Sequence, residues 1–151
     1  MLFLFIFLFT FVVGITFYKK QRPQWKNATL FPDEKVLYTQ LKTTIYTTGS
    51  DGVRRGMAWA AIKITNKRIV FLYPDKKAIS KVLDFSGEKQ KSQDEKLQRN
   101  TLYIDRVSMV IEKDVKGHET FVGKAVNSSG DIVVYRFLLH EGATVKNILG
   151  I

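Results

Sequence analysis

The residues best suited to chemistry in this chain of 151 residues are cations gathered in one stretch. Between Gly52 and Pro74 stand Arg54, Arg55, Lys63, Lys67 and Arg68, with no acid among them. Fixed cations of this kind hold phosphate or carboxylate groups through charge-assisted hydrogen bonds. They recognise anions; alone they break no bonds. The glycine-rich run Gly49-Ser50-Asp51-Gly52-Val53-Arg54-Arg55-Gly56 lacks the Lys-Ser/Thr that closes a phosphate loop, so it reads as a turn between strands. His118 and His140 have no metal-ligand spacing and sit beside expected turns or strand ends, which predicts surface histidines. The absence of Cys excludes thiolate zinc sites, a Cys nucleophile and a disulfide framework. No Gly-x-Ser-x-Gly elbow occurs, and no carboxylates form an apolar-flanked pair for acid–base work. The expectation is a binding protein, not an enzyme, with no cofactor and no metal.

The formal net charge of +10 raises nucleic acid as a partner. Its distribution argues against that. Residues 1–32 hold Lys19, Lys20, Arg22 and Lys26 and no acid, leaving +6 for the remainder. The body's aromatic residues fall mostly on expected core faces, not interleaved with Arg on an open stacking platform.

The four early charges follow an apolar head. Leu2 to Tyr18 is 17 residues without a charge, and 13 of them are Leu, Ile, Val or Phe. Inserting those side chains into lipid gains roughly 4–8 kcal/mol. As a helix the segment spans roughly 26 Å, close to the ~30 Å hydrocarbon core. Three readings compete. A cleaved signal peptide needs positive charge before the run and a small-residue site after it, and neither is clear here. A buried core helix needs a polar face, which the segment lacks. An uncleaved single-pass anchor fits best, with residues 1–18 as the span and 19–32 as a basic juxtamembrane linker broken by Pro23 and Pro32. Lys19, Lys20, Arg22 and Lys26 then form a membrane-proximal collar. Their position places that side in the cytoplasm and the N-terminus outside. The collar also attracts anionic lipid, by about 1 kcal/mol per basic side chain near the surface. Two glycosylation sequons, at Asn27 and Asn127, bear on topology, because neither is modified if the body is cytosolic.

From Asp33 the apolar period becomes two, which predicts strands. Lys35–Thr48 places Leu37, Leu41 and Ile45 on one face, and Met57–Thr65 does the same with Ala58, Ala60, Ile62 and Ile64. Arg68–Tyr73 is apolar on both faces, as an interior strand is, and Ala78–Phe85 reads as a further strand. Ser86–Asn100 is charged, with Leu97 as its only large apolar residue, and reads as a solvated loop or frayed helix. Strand character returns in Thr101–Lys113, where Val107, Met109 and Ile111 alternate, then in Glu119–Val126 and Asp131–Leu139. Glu141–Leu149 carries Val145, Ile148 and Leu149 at helical spacing and predicts a short amphipathic helix.

This order, mainly β with about seven strands and a C-terminal helix, resembles the pleckstrin-homology-like superfamily, and within it the GRAM and bacterial PH-like domains. The most specific stretch is Ile64-Thr65-Asn66-Lys67-Arg68-Ile69-Val70-Phe71-Leu72, which looks like the family's second hairpin. Asp33-Glu34-Lys35-Val36-Leu37-Tyr38 resembles the opening of its first strand, and Tyr103-Ile104-Asp105-Arg106-Val107 the segment leading into the strand after the hairpin. The resemblance implies a barrel of two near-orthogonal antiparallel sheets over residues 33–151, plugged by the C-terminal helix. It also implies anion-binding side chains around the first loop, which carries over onto Lys42, Arg54 and Arg55. The candidate set for a lipid or a partner is therefore Lys42, Arg54, Arg55, Lys63, Lys67 and Arg68. Two functions stay open: an adaptor that binds a protein partner, and recognition of anionic lipid headgroups through the basic first loop. Fold alone does not choose between them.

Overall fold

β-Branched and aromatic residues at alternate positions favour a pleated, half-buried backbone. The computed structural model describes residues 30–31, 33–72, 81–87, 100–127 and 129–151, with the backbone alone at 57–59. The expected anchor over 1–18, the collar residues Lys19, Lys20, Arg22 and Lys26, the sequon at Asn27 and the charged stretch 88–99 lie outside the described residues. Among the described residues no helix is long and apolar enough to cross a membrane.

Seven strands form among the described residues: β1 (Val36–Thr48), β2 (Arg54–Thr65), β3 (Arg68–Leu72), β4 (Lys81–Asp84), β5 (Thr101–Lys113), β6 (Glu119–Val126) and β7 (Ile132–Leu138). One helix, α1 (Gly142–Leu149), follows. The mainly-β reading and the closing helix hold. The expected barrel forms, but as one closed sheet in sequence order and not as two near-orthogonal sheets, with β1 pairing both β2 and β7. One ladder is parallel. Val82 pairs with Thr101, and Asp84 with Tyr103, so β4 and β5 run the same way. Parallel neighbours cannot be joined by a tight turn; the chain must return to the starting end, which takes a dozen residues or more. That requirement accounts for the long link over residues 85–100.

The interior is apolar and rich in aromatics. Phe71, Phe121 and Phe137 are fully buried. Phe121 stacks on Phe137 at 4.5 Å, and Phe71 meets Phe137 edge-on at 5.5 Å. Helix α1 adds Val145 and Leu149 to this core. Its first amide is capped by a distant side chain: the Gly142 N–H donates to Glu119 Oε2 at 2.7 Å, while Glu141 makes no side-chain cap. The helix stops at Gly150, whose φ of 68° is left-handed and suits glycine.

Two expected core faces shift. Leu37 and Leu41 are 46% and 63% exposed, while Gln40 and Thr43 are buried. Register irregularities in the β1–β2 ladder, between Val36 and Tyr38 and on both sides of Thr43, break the strict alternation. Val107 is 90% exposed for the same reason, because the β5–β6 register slips between Ile104 and Met109.

The seam between β1 and β7 is closed partly by side chains. Backbone pairing covers Ile45–Thr48. Below it, Gln40 Nε2 donates to the Leu138 carbonyl at 3.1 Å, and the His140 N–H donates to Gln40 Oε1 at 3.1 Å. The Thr43 hydroxyl donates to the same Leu138 carbonyl at 2.6 Å.

Candidate interaction surface

The candidate cations do not converge. Turn 49–53 joins β1 to β2, with the Gly52 N–H donating to the Gly49 carbonyl at 3.0 Å. Arg54 and Arg55 open β2, whereas the sequence reading placed them in the loop. That difference matters, because consecutive residues of a strand point to opposite faces. Arg54 lies over the Tyr46 ring at 4.0 Å from its centroid. Gly56 makes room for that ring: a Cβ there would sit 3.2 Å from Tyr46 Cε1. Arg55 turns the other way and pairs with Asp51 at 2.6 Å. Asp51 also accepts the Val53 N–H, and the Arg55 guanidinium with that amide holds its carboxyl below the usual range.

Lys42 is exposed on β1 between the pairs Gln40–Ile62 and Thr43–Ala60. Thr48 pairs with Arg54, so Lys42 stands six positions down the strand, about 20 Å away. Lys63 is half-buried on β2 between Thr39 and Val70, and burial pulls its ammonium down. It lies nine positions from Arg54, about 30 Å along the strand.

The remaining two cations belong to a clasp at the far end of β2. Lys67 pairs with Asp33 at 2.6 Å. Arg68 is 2% exposed; its Nε donates to Glu34 Oε1 at 2.7 Å and its second guanidinium nitrogen to Oε2 at 2.8 Å. The Thr65 hydroxyl and the Phe31 N–H donate to the same carboxylate. The Phe31 ring covers the guanidinium at 4.4 Å. Burial pushes the Glu34 carboxyl up, but Arg68, the Phe31 amide and Thr65 outweigh it and leave it below the ordinary range. Asn66 completes the clasp by accepting the Lys35 N–H at 2.9 Å. The basic hairpin thus ties Phe31 and residues 33–35 to the barrel. Arg68 presents no charge to solvent.

Sequence reasoning missed Asp51, Tyr46 and Glu34. The i,i+4 spacing of Asp51 and Arg55 across a turn was a usable signal. Nothing in the sequence linked Glu34 to Arg68, which are 34 positions apart.

His118 and His140 are exposed, and His118 Nδ1 sits 3.1 Å from Asp114. Among the described residues no three His, Asp or Glu side chains group as metal ligands. Asn127 is held inside its turn: its Oδ1 accepts the Ser129 and Asp131 N–H groups, and its Nδ2 donates to Asp131. No family model matches the chain, and no curated protein or solved structure does either.

Proposed function

We propose that this chain is a membrane-anchored binding module, with a barrel of the pleckstrin-homology or GRAM kind serving as an adaptor for a protein partner on the cytosolic side. The apolar segment 2–18 and the collar behind it support the anchor and its orientation. One observation favours a protein partner over a lipid headgroup: Arg54 and Arg55 diverge, and Arg55 is already matched by Asp51. A phosphate held tightly needs several donors aimed at one point. Spaced single cations on an exposed rim suit a protein surface, where they steer and register a partner.

The test compares full-length protein with Arg54→Glu/Arg55→Glu in neutral and in anionic nanodiscs. The expected result is a protein captured by the wild type in both lipids, lost by the variant, and rebound after purification. The reading fails if capture is unchanged by charge reversal while residues 30–151 bind anionic liposomes in a headgroup-dependent, Arg54/Arg55-dependent way. That outcome would establish the lipid reading.

A further inference from the structure

A sheet face turned to water ordinarily carries polar side chains. The outer wall of β5, β6 and β7 departs from that. Ala125, Tyr135 and Phe137 belong to the interior cluster, so Lys124, Val126, Val134 and Arg136 point outward. At one end of this wall Tyr103 pairs with Val126, and Val126 with Ile132. These three side chains make one cross-strand row and are 41%, 40% and 54% exposed.

Cations border that row. The next outward level, two residues along β6 and β7, runs Lys124–Val134–Thr48–Arg54 across β6, β7, β1 and β2. The level after it runs Val122–Arg136–Tyr46–Gly56. At about 4.8 Å per strand, Lys124 and Arg54 stand about 14 Å apart, with Arg136 between their strands. Among the described residues, Arg54, Lys124 and Arg136 form no ion pair. Nearby acids are engaged or set apart. Glu119 caps α1, Asp105 accepts the Val107 N–H, Asp131 accepts from Asn127, and Glu112 lies one level beyond Arg136, opposite Thr120. We propose that this wall is the docking face for an acidic amphipathic segment of the protein partner. Its apolar side chains lie on Tyr103, Val126 and Ile132, and its carboxylates meet Lys124, Arg136 and Arg54. The proposal rests on the protein-partner reading and gives that partner its chemistry.

Charge complementarity selects the occupant. A second copy of the chain would bring like charge onto like charge. A nucleic acid needs open rings on which its bases stack, and Arg54 already covers Tyr46. An apolar row flanked by cations matches a segment whose own apolar and acidic side chains lie side by side. Burying the row stabilises such a complex, which an ion pair in water alone does only weakly.

The test pans a displayed library of random peptides, about 15 residues long, on the full-length protein in neutral nanodiscs. The enriched peptides should combine several Asp or Glu with apolar residues. Their affinity should fall about tenfold or more in Lys124→Glu/Arg136→Glu and in Val126→Ser/Ile132→Ser, and stay unchanged in Lys113→Glu. A footprint guards against variants that disturb the barrel. In the otherwise Cys-free chain, saturating peptide should slow maleimide labelling of Ile132→Cys several-fold and leave Leu41→Cys unaffected. Enrichment of peptides without acids, or labelling at position 132 that does not slow, overturns the proposal. Acidic peptides that need Arg54 and Arg55 but neither Arg136 nor Ile132 overturn this face and leave the protein-partner reading standing. Anionic nanodiscs bound through Arg54 and Arg55, with no peptide enriched, overturn both.

Discussion

At the scale of single residues, Glu34 and Arg68 carry the sharpest consequences. Two buried charges are costly unless each is fully answered, and removing one partner leaves the other buried and unpaired. Glu34 is answered by the Arg68 guanidinium, the Phe31 amide and the Thr65 hydroxyl. Glu34→Gln should therefore lose about 3 kcal/mol of stability at pH 7. The pH dependence has a defined sign. Burial raises the carboxyl's pKa, yet the donors leave it below its unfolded value. Its contribution is thus complete above the unfolded pKa, about 4.3, and is lost as pH falls through the lower folded value. Urea unfolding at pH 7 and at acid pH should show the gap between wild type and Glu34→Gln closing in acid. A gap that stays constant with pH would mean the carboxylate's charge is not what stabilises the clasp. The same residues show why the candidate site was only partly legible. A run of cations is visible in sequence, but its meaning depends on partners. Asp51 lies four positions from Arg55 and could be inferred, whereas Glu34 is joined to Arg68 only by the fold.

At the scale of elements, strands and helix were legible because their signals are local. Ile62, Ile64, Ile69 and Phe71 alternate cleanly and land in the core. Alternation failed where register slips, at Leu37, Leu41 and Val107, since a slip by an odd number of residues exchanges the two faces. The parallel β4–β5 pair was equally hidden, because pairing direction is a property of the closed sheet. Closure itself rests partly on a polar residue that hydrophobic patterning passes over. Gln40 is 3% exposed and joins β1 to residues about a hundred positions away. Gln40→Leu keeps the volume but strips a partner from the His140 N–H, which should cost about 2 kcal/mol. Contacts this distant in sequence bear a high loop-closure cost and form late in folding. The loss should therefore appear mainly as faster unfolding, with the folding limb of the chevron little changed. A slower folding limb would instead place the β1–β7 seam in the nucleus.

At the scale of the whole molecule, the question is which part of the barrel a membrane anchor would turn toward lipid. Residues 33–35 are fixed to the β2–β3 hairpin by Glu34–Arg68, Asp33–Lys67 and Asn66. Arg54 and Arg55 stand at the other end of β2, eleven and ten positions from Thr65, about 35 Å along the strand. With the proposed anchor, a chain entering at the clasp would bring the hairpin end toward the bilayer and carry the arginine end outward. That distance exceeds the Debye length of about 8 Å at physiological ionic strength, so in that orientation the membrane's surface potential would scarcely reach Arg54. Single thiols at Lys35→Cys and Ser50→Cys, labelled with a fluorophore in the otherwise Cys-free full-length chain, read this orientation against lipid-borne quenchers in nanodiscs. The position 35 probe should be quenched several-fold more strongly than the position 50 probe. Stronger quenching at position 50 would put the first turn on the lipid, and with it the case for headgroup recognition.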